Sequence, residues 1–182
     1  METTRPVKKR LLELSEEIVD LSDSLDELEF ESDFKKELEI RNRLHVIGDE
    51  LAGIQEDFTG DDETFAHFAL GSVCSLLKKW DKAEYAYKEA LKHWPDHVGI
   101  LNELFDCLVE RRKLEEAREV IEKSIKHGGE TPDVLYNFAS LVSHMGNTDE
   151  AKVILINALA RFPNDKGCKA LLMELDAINQ DG

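Results

Sequence analysis

The chain is poor in the residues that turn, bridge or span. Its 182 residues include 10 glycines, 4 prolines and 7% aromatics. So few turn formers and rings exclude a sandwich or barrel of many short strands and favour helices. The three cysteines, Cys74, Cys107 and Cys168, are odd in number and widely spaced. That excludes a disulfide framework and a CxxC metal site, and it suits a reducing compartment, so a cytoplasmic protein is expected. No apolar run reaches the roughly 18 residues of a membrane span. After METTRPVKKR, the acids Glu13, Glu16 and Glu17 break what would be the apolar core of a signal peptide, so none is expected. Bases are also scarce: 23 Lys and Arg stand against 39 Asp and Glu, a net charge of −16. A basic footprint for nucleic acid is missing, as is any attraction to anionic lipid, so neither is an expected partner.

Catalytic signatures are missing too. Gly48, Gly53, Gly128 and Gly129 form no phosphate loop, and no GxSxG, HExxH or EF-hand pattern occurs. His93 and His97 are four apart, but Pro95 between them ends any shared helix face. Cys74 and Cys107 read as buried, inert thiols, and Cys168 as a more exposed one with no adjacent base. The expectation is a protein with no catalytic residue, metal or cofactor.

The hydrophobic residues are ample at 42%, and they are periodic. Val7, Leu11, Leu14, Ile18, Leu21, Leu25 and Leu28 alternate in steps of four and three, the stripe of one helix face. Leu12 and Val19 widen it. The rhythm breaks at residues 29–33, and Ile40, Leu44, Ile47, Leu51, Ile54 and Phe58 form a second stripe. Thr59-Gly60-Asp61-Asp62 closes it. Residues 1–60 therefore form an N-terminal helical arm, either an antiparallel hairpin or a coiled coil that joins two chains as a homodimer. The arm is strongly acidic. Residues 1–63 hold 20 acids and 8 bases, whereas residues 64–182 hold 19 and 15. From Leu11 to Asp33 there are ten acids and no base. Its acidic face is either a solvated helix surface or a dock for a basic partner. The basic start, Arg5, Lys8, Lys9 and Arg10, is a candidate to fold onto acidic surface elsewhere in the chain.

From Thr64 the chain repeats every 34 residues, over 64–97, 98–131 and 132–165. Ala83, Ala117 and Ala151 are equivalent. So are Gly71, Phe105 and Ala139; Tyr87, Ile121 and Leu155; Ala90, Ser124 and Ala158; and Pro95, Gly129 and Pro163. Each segment is a pair of short amphipathic helices, with small residues where they cross and large ones filling the gaps. Asp81 and Asn147 or Thr148 are placed to cap the second helices of their pairs, and Thr131-Pro132-Asp133 to start another. Residues 30–63 fail as a fourth copy in register, because Glu37, Asp49 and Glu56 would occupy the tight crossings. Lys166 to Asn179, with Ala170, Leu171, Leu172, Leu175 and Ile178, reads as a C-terminal capping helix within 166–182.

The segments FAHFALGSVCSLLKKWDKAEYAYKEALKHWPD and VLYNFASLVSHMGNTDEAKVILINALARFPND resemble the tetratricopeptide repeat family in period and pattern. They depart from it at His67, where the family prefers Trp, and at Cys74, where it prefers Tyr. The resemblance covers residues 64–165. It implies an all-α fold: a right-handed α-solenoid of three repeats between the arm and the capping helix. It also implies a non-catalytic scaffold that binds a protein or peptide in a concave groove lined by the first helix of each pair. That groove would present Phe65, Phe68, Ser72, Ser75 and Leu76, then Asn102, Asp106, Val109 and Glu110, then Asp133, Tyr136, Asn137, Ser140, Ser143 and His144. It would contain no Lys or Arg, so it would suit an apolar, aromatic or basic segment. Phe65, Phe68 and Tyr136 are alternatively read as packing against the chain's own arm. Relatives that clamp the acidic tails of heat-shock chaperones do so with Lys, Asn, Asn, Lys and Arg. The matching residues here are Phe68, Ser72, Glu103, Asp133 and Asn137, which speaks against that role. Acidic three-repeat proteins of this size also serve as chaperones in type III secretion, so a small cytoplasmic chaperone for a secreted substrate is the second implied role.

Overall fold

A computed structural model describes residues 4–31, 33–54 and 59–178. Among these it contains nine α-helices and no strand. Phe58 and Asn179 lie outside the described residues. The chain divides into two compact units, Met1–Pro95 and Asp96–Gly182.

The first unit holds α1 (Thr4–Glu31), α2 (Phe34–Ile54), α3 (Asp61–Leu76) and α4 (Trp80–His93). The first stripe buries Leu11, Leu14, Ile18 and Leu28, and the second buries Ile40, Leu44, Ile47 and Leu51. Both join Ala66, Ala69 and Val73 of α3 in one cluster. Each large aliphatic side chain so buried contributes about 1.5–3 kcal/mol. Asp33 starts α2 by accepting from the backbone N–H groups of Lys35 and Lys36 at 3.1 Å. The direction of the pair is fixed by charge. The Arg10 guanidinium donates to both oxygens of Glu50, at 2.6 and 2.9 Å, and Arg43 does the same to Glu17. Residue 10 beside 50 and residue 17 beside 43 make α1 and α2 antiparallel within one chain. The two guanidinium groups hold the Glu17 and Glu50 carboxyls below their ordinary range. These pairs are part-exposed, so they orient the helices more than they stabilise them. The change in composition near residue 60 is not a boundary between compact units, because α3 buries its face against α1 and α2. Leu12 and Val19 do not widen the buried stripe: they are 50% and 59% exposed.

The second unit holds α5 (Val98–Glu110), α6 (Leu114–Lys126), α7 (Pro132–His144), α8 (Thr148–Arg161) and α9 (Lys166–Ile178). Ala139, Ala151, Leu155 and Ala158 are fully buried between α7 and α8, as are Ala117, Ile121 and Ser124 of α6. On the final helix Leu175 is buried, and Leu171 and Leu172 pack against the same cluster. Cys168 is also fully buried there, rather than exposed. Its backbone N–H donates to Asp165 at 2.7 Å, and burial pushes its thiol up to about 11. Across α6 and α8, the Arg118 guanidinium grips both oxygens of Glu150 and lies over the Phe138 ring, 5.9 Å from its centre.

The turns inside the helix pairs recur with the repeat. Lys78 (φ 56), Arg112 (φ 58) and Gly146 (φ 88) are spaced by 34 and share the left-handed region. At each, two backbone bonds close the helix end. Lys78 and Lys79 donate to the carbonyls of Ser75 and Cys74, Arg112 and Lys113 to Val109 and Leu108, and Gly146 and Asn147 to Ser143 and Val142. This is the Schellman arrangement. The second helices then start without side-chain caps: neither Asp81 nor Asn147 or Thr148 supplies one, and the cap positions Lys79 and Asn147 make no side-chain capping bond. Thr131 does cap α7, accepting from Val134 N–H at 3.3 Å. A side chain in the left-handed region costs roughly 1 kcal/mol that glycine avoids. Lys78→Gly should therefore stabilise the chain by about 0.5 kcal/mol in urea unfolding. A loss of stability would show that the Lys78 side chain, not its backbone, matters there.

Candidate interaction surface

The expected groove residues divide between the units. In the first unit, Phe65, Phe68 and Ser72 lie on α3. Phe65 packs against the cluster formed with the arm. Its ring centre is 6.4 Å from that of Phe68, which in turn is 6.1 Å from the buried Tyr87. The Ser72 hydroxyl donates back to the Phe68 carbonyl at 3.2 Å. The two phenylalanines therefore serve packing within the unit, Phe65 against the cluster that includes the arm and Phe68 against Tyr87 of α4. His67 stands at the position where the family prefers Trp. It is nearly buried, and desolvation lowers its pKa against the pull of Glu89 and Glu63.

In the second unit α5 and α7 enclose a recess of about 460 Å³. Of the expected residues it gathers Asp106, Val109, Glu110, Asn137, Ser140 and His144. Phe105, Leu114 and Leu141 complete an apolar floor. The groove was expected to be free of bases, and this is corrected: Arg112 also lines the recess, carried there by the left-handed turn after α5. Four expected residues, Asn102, Asp133, Tyr136 and Ser143, do not line it. The Asn102 carboxamide oxygen accepts from Ser124 Oγ at 2.6 Å, bracing α5 to α6. Tyr136 lies beside Gly167 at the start of α9, and Asp133 sits in the first turn of α7; neither lines the recess.

The electrostatics of the recess centre on Asp106. No ion pair holds Asp106 or Glu110 among the described residues. The carboxyl of Asp106 opens to solvent at the mouth but is flanked by protein mass, which pushes its pKa up to about 6. Glu103 and Glu110 add to the rise. The site thus offers under-neutralised carboxylates beside an apolar floor. Among the described residues, no group of His, Cys, Asp and Glu is arranged to hold a metal ion, and no helix is long and apolar enough to cross a membrane.

Paired antiparallel helices in register over 34-residue repeats define an all-α protein of the helical-repeat class. Residues 76–135 match the family model of the tetratricopeptide repeat, a span centred on the second and least regular copy. Among solved structures, the MamA RS-1 ArsTM double mutant is similar with a TM-score of 0.68 and 14% identity, over 81% of this chain and 85% of that one. MamA AMB-1 gives 0.66 and 15%, over 91% and 80%. The first TPR of Spaghetti (RPAP3), bound to HSP90 peptide SRMEEVD, gives 0.59 and 13%, over 64% and 93%. These are likenesses of fold. No curated protein matches in sequence. The chain thus has the fold of these structures, and its residues 76–135 match the tetratricopeptide repeat.

Proposed function

We propose that the chain is a non-catalytic protein–protein interaction module, and that its α5–α7 recess takes a lysine or arginine side chain from a partner segment. The observation that carries this reading is the pair of unneutralised carboxylates, Asp106 and Glu110, beside Phe105, Val109 and Leu141. The aliphatic stem of a basic side chain covers the apolar floor while its head meets the acids. An acidic segment would meet like charge, and a purely apolar one would strand both carboxylates. The RPAP3 structure holds the acidic peptide SRMEEVD. Phe68, Asp133 and Asn137 stand here at the positions where such clamps place their three bases, so the proposed ligand is of the opposite charge. Arg112 at the rim sets the spacing, repelling a second base beside the one that enters.

The test is an array of eight-residue peptides, too short to form stable helices. Those with Lys or Arg next to an apolar residue should be captured, and their Glu-substituted counterparts should not. Asp106→Asn/Glu110→Gln should lose capture at least tenfold. Equal capture by that variant would sink the assignment of the recess.

A further inference from the structure

The outward face of α1 carries a second surface, separate from the recess. Leu12 and Val19 are seven residues apart, so they lie one above the other on the helix side facing away from α2 and α3, about 10 Å apart along the axis. Both are exposed in a helix whose other face buries Leu11, Leu14, Ile18 and Leu28. Around them stand Glu16, Asp20, Asp23, Asp26 and Glu27, all exposed, and none is ion-paired among the described residues. The nearby bases are already engaged: Lys8 with Asp62, Lys9 with Glu13, Arg10 with Glu50 and Arg43 with Glu17. The chain therefore uses these bases at the N-terminal end of α1 and in the pairing with α2, and leaves the five carboxylates, among the described residues, without an ion-pair partner around two apolar contacts.

We propose that this face docks a basic amphipathic helix of a partner protein, with two apolar side chains seven residues apart over Leu12 and Val19 and with Lys or Arg opposite the carboxylates. Charge chooses the occupant. A second copy of the chain would set this row of acids against its own, whichever way it ran, and anionic lipid would be repelled in the same way. A helix presenting apolar residues at this spacing within a basic face satisfies both features at once.

The probe is a labelled 18-residue Lys/Leu peptide with Leu at helical spacing, paired with a scrambled peptide of identical composition. Fluorescence anisotropy at 0.15 M salt should show the full chain binding the amphipathic peptide at least tenfold more tightly than the scrambled one. Leu12→Ser/Val19→Ser, checked for unchanged helicity and unfolding midpoint, should reduce that preference to less than twofold. Asp106→Asn/Glu110→Gln should leave it intact, which separates this surface from the recess. Three results would overturn the proposal: no preference for the amphipathic peptide, a preference that survives Leu12→Ser/Val19→Ser, or one lost only in the recess variant. So would self-association of the free chain that Leu12→Ser/Val19→Ser abolishes, because it would give the face to a second copy.

Discussion

Gly71→Ala is expected to destabilise the chain by about 2 kcal/mol, although alanine is the better helix former. A β-carbon built at Gly71 comes within 2.5 and 2.6 Å of Tyr87 Cε1 and Cδ1 and within 3.0 Å of Cζ. The ring has no room to retreat: Tyr87 is fully buried and rests against Phe68. Overpacking of this kind costs about 1–3 kcal/mol or more, against a propensity gain of up to about 1 kcal/mol. The third repeat indicates the remedy, since there the same two positions are Ala139 and Leu155, both fully buried. Gly71→Ala/Tyr87→Leu should therefore recover part of the loss, and a double-mutant cycle should return a coupling of about 1 kcal/mol or more. Gly53→Ala is the control. That glycine is also helical, with nothing within 4 Å of its would-be β-carbon, and the change should be neutral or mildly stabilising. Thermal unfolding followed by circular dichroism reads all three. A Gly71→Ala variant as stable as the parent would refute the close crossing of α3 and α4.

That crossing was legible in the sequence because it is a matter of volume: a small residue at one position answers a large one sixteen residues later in the first and third repeats, Gly71 with Tyr87 and Ala139 with Leu155. The buried stripes of α1 and α2 were legible for the same reason, since periodicity reports which face is dry. What the periodicity does not report is where a buried face stops. Leu12 and Val19 are as apolar as their neighbours, yet they fall on the far side of α1. The turns were harder to read. Glycine marks a left-handed position at Gly146, but Lys78 and Arg112 adopt the same conformation without it. That hid the base that enters the recess. Asn102 was assigned to the groove from its place in the repeat, and it is lost to a local exception. The second repeat has Ser124 where the others have alanine, and the hydroxyl takes up the carboxamide. Cys168 continues the 34-residue period past residue 165: Ala66, Ile100 and Val134 stand at the equivalent positions before it, and all four are buried.

Asp106→Asn is expected to stabilise the free chain above pH 6 and at the same time weaken its hold on a basic segment. The sign follows from the direction of the shift. Protein mass, with Glu103 and Glu110, raises the Asp106 carboxyl from about 4 in an unfolded chain to about 6. The folded state then binds the proton more strongly than the unfolded state between those values, so stability falls as pH rises from about 4 to 6 and stays lower beyond. The mouth of the recess is open, and solvent screening reduces the full effect to about 1 kcal/mol. Urea unfolding should accordingly show Asp106→Asn about 1 kcal/mol more stable than the parent at pH 7.5 and equal to it near pH 4. A cation seated in the recess reverses the preference, because it favours the carboxylate. Binding of a short Arg-containing peptide below pH 6 should therefore release a proton, which calorimetry in buffers of different ionisation enthalpy detects. Affinity should rise severalfold from pH 5 to 7, and Asp106→Asn should abolish both the release and the rise. A variant whose stability difference has the same size at both pH values would show that Asp106 does not titrate in the recess. Proton-independent peptide binding by the parent would move the ligand's charge elsewhere. If both hold as expected, the recess is a place where folding stability is given up so that a basic partner can restore it.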